Sequence, residues 1–272
     1  MNYKLIALDL DGTLKNSKNQ ITPKTRDALI KAQELGIKVV LASGRPTPGL
    51  RHEANELRLE EFGGYLLSFN GACVQNAKTK ESIYEQTLTI DEAKKAYDTA
   101  KSYNMAVMTY YNDSVYTEDE KDQYVIVEGN INDIPVVKVE DFKVILHDPI
   151  HKILCTGEPS YVASIVDDFK APYGDSLSIY RSAPFFIEVM AQGIDKAASL
   201  DRLASSLGIK QEEVMAFGDG YNDLSMIEYA GLGVAMNNAV DGVKERANII
   251  TLSNDEDGIA YTLSQYIEGI DF

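Results

Sequence analysis

Two stretches of this sequence place pairs of carboxylates directly behind apolar runs: Asp9-Leu10-Asp11-Gly12-Thr13 near the start and Gly218-Asp219-Gly220-Tyr221-Asn222-Asp223 near the end. Like charges held close raise each other's pKa, so a strand end is a poor place for two carboxylates without compensation. A divalent cation between them removes the problem. Hard oxygen donors of this kind suit Mg2+, which takes few carboxylates and keeps several waters. The first pair can divide the work. One Asp can face a substrate and attack, while the other offers its backbone carbonyl to a metal and its carboxyl to a leaving group. Gly12 allows a tight turn, and Thr13 can donate a hydroxyl and an N–H to an anion. Asp-Gly is by itself a common turn dipeptide, so the reading depends on which other groups arrive beside it.

The elements that would deliver them can be read from the pattern. Leu5-Ile6-Ala7-Leu8 predicts a buried strand. Thr22 and Pro23 open a helix that Gly36 ends, and residues 37–42 form a second apolar strand. Strand, helix, strand of this kind implies a parallel pair with a right-handed crossover. In such open sheets the site lies beyond the carboxyl ends of the strands. Ser43-Gly44-Arg45 therefore arrives at the same edge as Asp9. Ser43 either bonds an anion or caps the helix expected over 48–57, and Arg45 either meets a substrate or braces the loop. A third strand over 65–69 ends in Asn70-Gly71, and 73–75 with 82–85 reads as a hairpin.

From about Leu88 the character changes. Asp91 is expected to cap a helix, Asn112-Asp113 to turn between two strands, and Glu118-Asp119-Glu120 to open a second helix. Further strands are expected over 136–139, 151–156, 176–181 and 185–190, with a helix over 160–169. The alternation suggests an α+β layer with helices on one face of an antiparallel sheet. The last third returns to the opening pattern. Asp195 caps a helix carrying Lys196 near its start, and 214–217 is a strand that delivers Asp219. Asn222 and Asp223 open the next helix, so its N–H groups and positive dipole end face the site. Strands over 233–236 and 249–252, a helix from Asn238, and a terminal helix capped by 255–257 complete the chain. The expected division is a core of 1–86 and 190–272 with an insert of 87–189.

The chain has 272 residues, enough for two domains, and 44% hydrophobic with 25% charged residues is ordinary for a soluble protein. Its net charge of −16 argues against a nucleic-acid partner, though a local metal ion can still reverse the field for a small phosphorylated molecule. Cys73 and Cys155 have no metal-ligand or redox spacing, nor have His52, His147 and His151 a ligand spacing. No segment reaches the ~18 apolar residues of a membrane span, so a cytoplasmic protein without a membrane partner is the expected default. Oligomeric state stays open.

Asp9, Asp11, Ser43, Asn70, Lys196 and Asp219 together comprise a carboxylate nucleophile, a second acid, anion-binding groups, a cation and metal ligands. Phosphoryl transfer needs this set. The motifs Asp9-Leu10-Asp11-Gly12-Thr13, Ser43-Gly44-Arg45, Asn70-Gly71, Lys196 and Gly218 to Asp223 resemble those of the haloacid dehalogenase superfamily, closest to its Cof-type class IIB phosphatases. The resemblance runs nearly end to end. It implies an α/β fold, a Rossmann-like parallel-sheet core with an inserted α+β cap, and Mg2+-dependent hydrolysis of a small phosphate ester.

On matching positions the resemblance implies that Asp9 forms an aspartyl-phosphate and that Asp11 protonates the leaving group, then activates water. It implies Mg2+ on Asp9, the Asp11 carbonyl, Asp219 and Asp223, the last directly or through water. Ser43 and Lys196 would bind phosphoryl oxygens, with Gly44, Arg45, Asn70 and Asn222 beside them. The cap would exclude water and contact substrate, with Arg181 and Ser182 the candidate contacts. Ala197 stands where the family usually has Gly. A phosphomutase and a non-enzymatic phosphometabolite-binding protein are the alternatives. Asp11 argues against a transporting ATPase, which lacks this acid.

Overall fold

The computed structural model describes residues 3–272. The chain forms two compact units, Met1–Tyr84 with Asp195–Phe272 and Glu85–Ile194. The insert is thus Glu85–Ile194 rather than 87–189.

In chain order the strands of the first segment are β1 (Leu5–Leu8), β2 (Lys38–Ala42), β3 (Tyr65–Ser68), β4 (Cys73–Asn76) and β5 (Ser82–Glu85). Those of the insert are β6 (Ala106–Tyr111), β7 (Ser114–Thr117), β8 (Val136–Lys138), β9 (Lys152–Thr156), β10 (Leu177–Ala183) and β11 (Phe186–Ala191). The chain then returns with β12 (Val214–Gly218), β13 (Leu232–Ala235) and β14 (Ile249–Ile250).

The first unit holds one sheet in the order β14-β13-β12-β1-β2-β3-β4-β5. Its pairs from β14 to β3 are parallel, and β4 turns back antiparallel to β3. Both faces are covered, which is why β1 is apolar at every position. Ile6, Leu8, Val39, Leu41, Met215 and Phe217 pack on one face against Leu29 and Leu263 of helices Pro23–Glu34 and Gly258–Tyr266. Leu5, Ala7, Val40, Ala42, Val214 and Ala216 pack on the other against Leu200 and Leu203 of helix Lys196–Ser206. Thr22 caps the first of these helices and Asp195 the last, as their sequences predict.

The insert's six strands run in the order β10-β11-β9-β6-β7-β8. All pairs are antiparallel except β7 with β8. Asn112 and Asp113 have φ of 42° and 62°, the paired left-handed residues of a tight hairpin. Helices Ile90–Ser102 and Pro159–Lys170 bury Ala93, Ala96, Val162 and Phe169 on one sheet face. Val125 of helix Gln123–Asn132 packs with Met108, Val115 and Leu154 on the other, so helices cover both faces rather than one.

Three local expectations shift. Thr89, in a capping box with Glu92, caps the helix assigned to Asp91. Asp122, not Glu118–Glu120, caps the next helix, because its carboxylate reaches the amides of Tyr124 and Val125. Glu118 instead accepts from the Tyr97 hydroxyl and the Phe142 amide. Asn238 precedes its helix, which spans Asp241–Lys244. Among the described residues, no helix is long and apolar enough to cross a membrane.

Candidate active site

Parallel register brings the strand ends together. Leu8 pairs with Phe217 on one side and Leu41 on the other, and Leu41 pairs with Leu66. Asp9, Ser43 and Asp219 thus follow adjacent strands at one sheet edge, and Asn70 follows β3. The Asp9 amide continues the ladder by donating to the Phe217 carbonyl at 3.1 Å.

Lys196 is the centre of the arrangement. It is 1% exposed, and its Nζ donates to Asp9 Oδ1 at 2.7 Å, Asp223 Oδ1 at 2.6 Å and the Ala42 carbonyl at 2.8 Å. All three ammonium protons are used, as burial requires. Burial alone would favour the neutral amine, but the carboxylates of Asp9 and Asp223 outweigh it and hold the pKa above the usual lysine range. Lys196 therefore stays cationic. Asp223 Oδ2 accepts from the amides of Asp219 at 3.0 Å and Gly220 at 2.9 Å. The carboxylate pins the loop that presents Asp219.

Asp219 leans on Thr13, whose hydroxyl donates to Oδ1 at 2.7 Å. Gly12 is required between them: its φ is 88°, and a Cβ there would come within 2.4 Å of Asp219 Oδ2. The Asn238 side-chain amide holds the same turn by donating to the Gly12 carbonyl at 2.7 Å. This contact was not foreseen from the sequence, where Asn238 reads only as the start of a helix. Asp11 is forked by Arg45, with Nε 2.8 Å from Oδ2 and Nη2 2.6 Å from Oδ1. Ser43 Oγ accepts from the Arg45 amide at 3.2 Å, within its own loop and not at a helix start.

Three carboxylates here share one ammonium. Asp9, Asp219 and Asp223 each place an oxygen within 4.8 Å of those of the other two. Burial, then the nearby Asp223, pushes Asp9 well above the usual carboxylate range despite Lys196. Burial likewise pushes Asp219 up to about 6, partly offset by the Thr13 hydroxyl. Carboxylates that resist ionisation for want of compensating charge fit a site completed by a divalent cation with hard oxygen preference.

Of the sequence-predicted residues in the first unit, Lys196 bonds Asp9 and Asp223, Asp219 lies beside them, and Arg45 bonds Asp11 and the Ser43 hydroxyl. Asn222 is exposed beside Gly220, and a Cβ on Gly220 would come within 2.6 Å of Asn222 Oδ1. Asn70 lies against Gly44: a Cβ there would come within 3.1 Å of its Nδ2. Arg181 belongs to the second unit, where its guanidinium donates to the carbonyls of Pro184 and Pro159.

Known proteins share this plan. The family model for haloacid dehalogenase-like hydrolases matches residues 6–263. A crystal structure of a haloacid dehalogenase-like hydrolase from Bacteroides thetaiotaomicron superposes with a TM-score of 0.94 at 44% identity, covering 97% of this chain and 99% of that one. The Bacillus subtilis 5-amino-6-(5-phospho-D-ribitylamino)uracil phosphatase YitU is 33% identical over 266 residues, 96% of this chain and 97% of its own. A solved sugar phosphatase of haloacid dehalogenase subclass IIB has a TM-score of 0.78 at 25% identity, covering 97% and 98% of the two chains. With its strand-end carboxylates, buried lysine and inserted α+β cap, the chain belongs to the haloacid dehalogenase-like hydrolases, as a phosphatase.

Proposed function

We propose that this phosphatase hydrolyses small phosphate monoesters, sugar phosphates or similar metabolites, through an aspartyl-phosphate on Asp9, with Mg2+ as cofactor. The observation that carries the proposal is the Lys196 ammonium fixed between Asp9 and Asp223, beside Asp219. Lys196 occupies Asp9 Oδ1, which orients the carboxylate and leaves Oδ2 to attack phosphorus. The new Oδ2–P bond replaces the bond to the leaving oxygen. Asp11, one oxygen of which must leave the Arg45 fork to carry the proton, protonates that oxygen as it departs, then takes a proton from the water that attacks the acyl-phosphate. Water addition at phosphorus returns Asp9 as a carboxylate and releases phosphate.

The Ser43 hydroxyl serves the phosphoryl oxygens, with the Gly44 backbone alongside and Asn222 at the exposed rim, and Lys196, its three protons committed to Asp9, Asp223 and Ala42, acts on those oxygens through its charge. Asp9, Asp219 and the Asp11 carbonyl would hold the cation. Asp223 would approach it through water, since both its oxygens already serve Lys196 and two amides. When bound, Mg2+ supplies charge neutralisation of the phosphoryl group. Arg181 remains a proposed substrate contact.

The test is Asp9→Asn with p-nitrophenyl phosphate, with and without Mg2+. Turnover is expected to fall by more than about a thousandfold, and hydrolysis at the parent rate would overturn the nucleophile assignment. A screen of sugar phosphates, nucleotides, pyridoxal phosphate and flavin mononucleotide then sorts the substrate class.

A further inference from the structure

Phe69, Asn70 and Gly71 adopt φ of 51°, 54° and 104° in succession. Only glycine takes this region freely, Asn tolerates it, and an aromatic residue there is strained. Strain of this kind persists only where the surroundings over-determine it. Here they do, and on two sides.

On one side the triplet grips the loop after β2. The Phe69 amide donates to the Arg45 carbonyl and the Asn70 amide to the Ser43 carbonyl, both at 2.9 Å. The Asn70 side-chain amide fills the space that a Cβ on Gly44 would need. On the other side the triplet presses on the start of the helix that carries Lys196. A Cβ on Gly71 would lie 2.7 Å from the Asp195 carbonyl and 2.8 Å from Ser199 Oγ. Ser199 Oγ donates to the Gly71 carbonyl at 2.7 Å, with Ser199 only 1% exposed. Lys196 closes the circuit by donating to Ala42, immediately before Ser43.

We infer that Phe69-Asn70-Gly71 is a positioning clip, with Ser199 as its anchor, that sets the separation of the Ser43 loop from Lys196 and thereby tunes the site to the phosphoryl group. The inference rests on the proposed assignment of Ser43 and Lys196 to the phosphoryl oxygens. It adds Ser199, a residue outside every motif, and makes the role of Asn70 geometric rather than a direct contact. The strain has a use in this account. A relaxed extended triplet would point its amides away from the two carbonyls and let the loop drift. Sub-ångström drift between two anion-binding groups is enough to weaken a reaction that depends on placement.

The experiment compares Asn70→Gly, Ser199→Ala and the double variant with the parent, by inorganic phosphate inhibition, p-nitrophenyl phosphate kinetics and thermal melting. Asn70→Gly keeps the left-handed backbone, which glycine adopts freely, so it is expected to melt within about 2 °C of the parent. Both single variants are expected to raise the phosphate inhibition constant about tenfold, with KM rising alongside. The double variant is expected to lose no more than about the larger single loss, because one clip is broken twice. Phosphate inhibition within about twofold of the parent in both folded single variants overturns the clip. A loss with Asn70→Gly alone also overturns it, since that result marks direct contact. Ser43→Ala separates the premises. If it leaves phosphate inhibition intact, the phosphoryl assignment fails and the clip with it. If it weakens inhibition while the clip variants do not, only the clip fails.

Discussion

Arg45 grips both carboxylate oxygens of Asp11, and the pair closes the sheet edge between the loops after β1 and β2. Fork geometry of this kind is specific to guanidinium. The Asp11 side chain is 54% exposed, so the pair contributes little to stability. It does set where Asp11 points. Arg45→Lys is expected to leave the melting temperature within about 2 °C while lowering kcat at least tenfold, because the acid is no longer aimed. Steady-state kinetics beside a melting curve checks this, and a large melting shift with unchanged kcat would reverse the assignment.

Removing the central cation should be costly in both fold and chemistry. Lys196→Met strands Asp9 and Asp223 in a buried site, and breaking a buried pair from one side costs about 3–5 kcal/mol. Activity is expected to fall by at least about a hundredfold. Denaturant unfolding and kcat/KM on the purified variant measure both effects.

Asp219 makes the metal-free protein respond to pH in a defined direction. Its folded pKa of about 6 lies above the ~3.9 of an unfolded Asp, so the folded state holds more protons between those values. Stability should therefore fall as pH rises from about 4 to about 6, by about 1–2 kcal/mol after discounting for solvent at this partly open site. A divalent cation held at this site would compete with the proton. At a hundred times its Kd it is expected to add about 2.7 kcal/mol at pH 7.5 and much less at pH 5. Melting curves in chelator and in Mg2+ across this range provide the check.

Away from the sheet edge, Lys15 and Glu53 form a buried ion pair at 2.8 Å that ties the segment after Thr13 to helix Arg51–Glu56. Lys15→Met is expected to destabilise by about 3–5 kcal/mol, since Glu53 is left charged and buried, whereas Lys15→Met with Glu53→Leu should recover most of the loss. Additive losses in this double-mutant cycle would show that the pair does not act as a unit.

Much of this architecture was legible because a short apolar run followed by a chemistry-bearing residue is what a buried strand ending at a site looks like. Leu5 to Leu8 reads as a two-sided buried strand, and Asp9, Ser43, Asn70 and Asp219 follow as strand-end residues. Their convergence needs only parallel pairing and right-handed crossovers. Asp195 and Thr22 declared their helices, as local side-chain-to-backbone bonds do. Local signals also misled: Asp91 and Glu118–Glu120 carry the acidity of a helix start, but the caps went to Thr89 and Asp122. An N-cap needs a side-chain oxygen aimed back at amides two or three residues on, and acidity alone does not provide that aim.

Tertiary structure alone decided how the charges pair. Nothing in sequence spacing says that Asp223 would spend its carboxylate on Lys196 and two amides, that Arg45 would fork Asp11, or that Asn238 would hold the Gly12 carbonyl. Nor does it show that Ser199 would reach the Gly71 carbonyl from another part of the chain. Residue types and strand order settle which groups reach the sheet edge. Hydrogen-bond partners depend on shifts of about an ångström between loops distant in sequence, and only the packing of helix Lys196–Ser206 against the strand ends determines those.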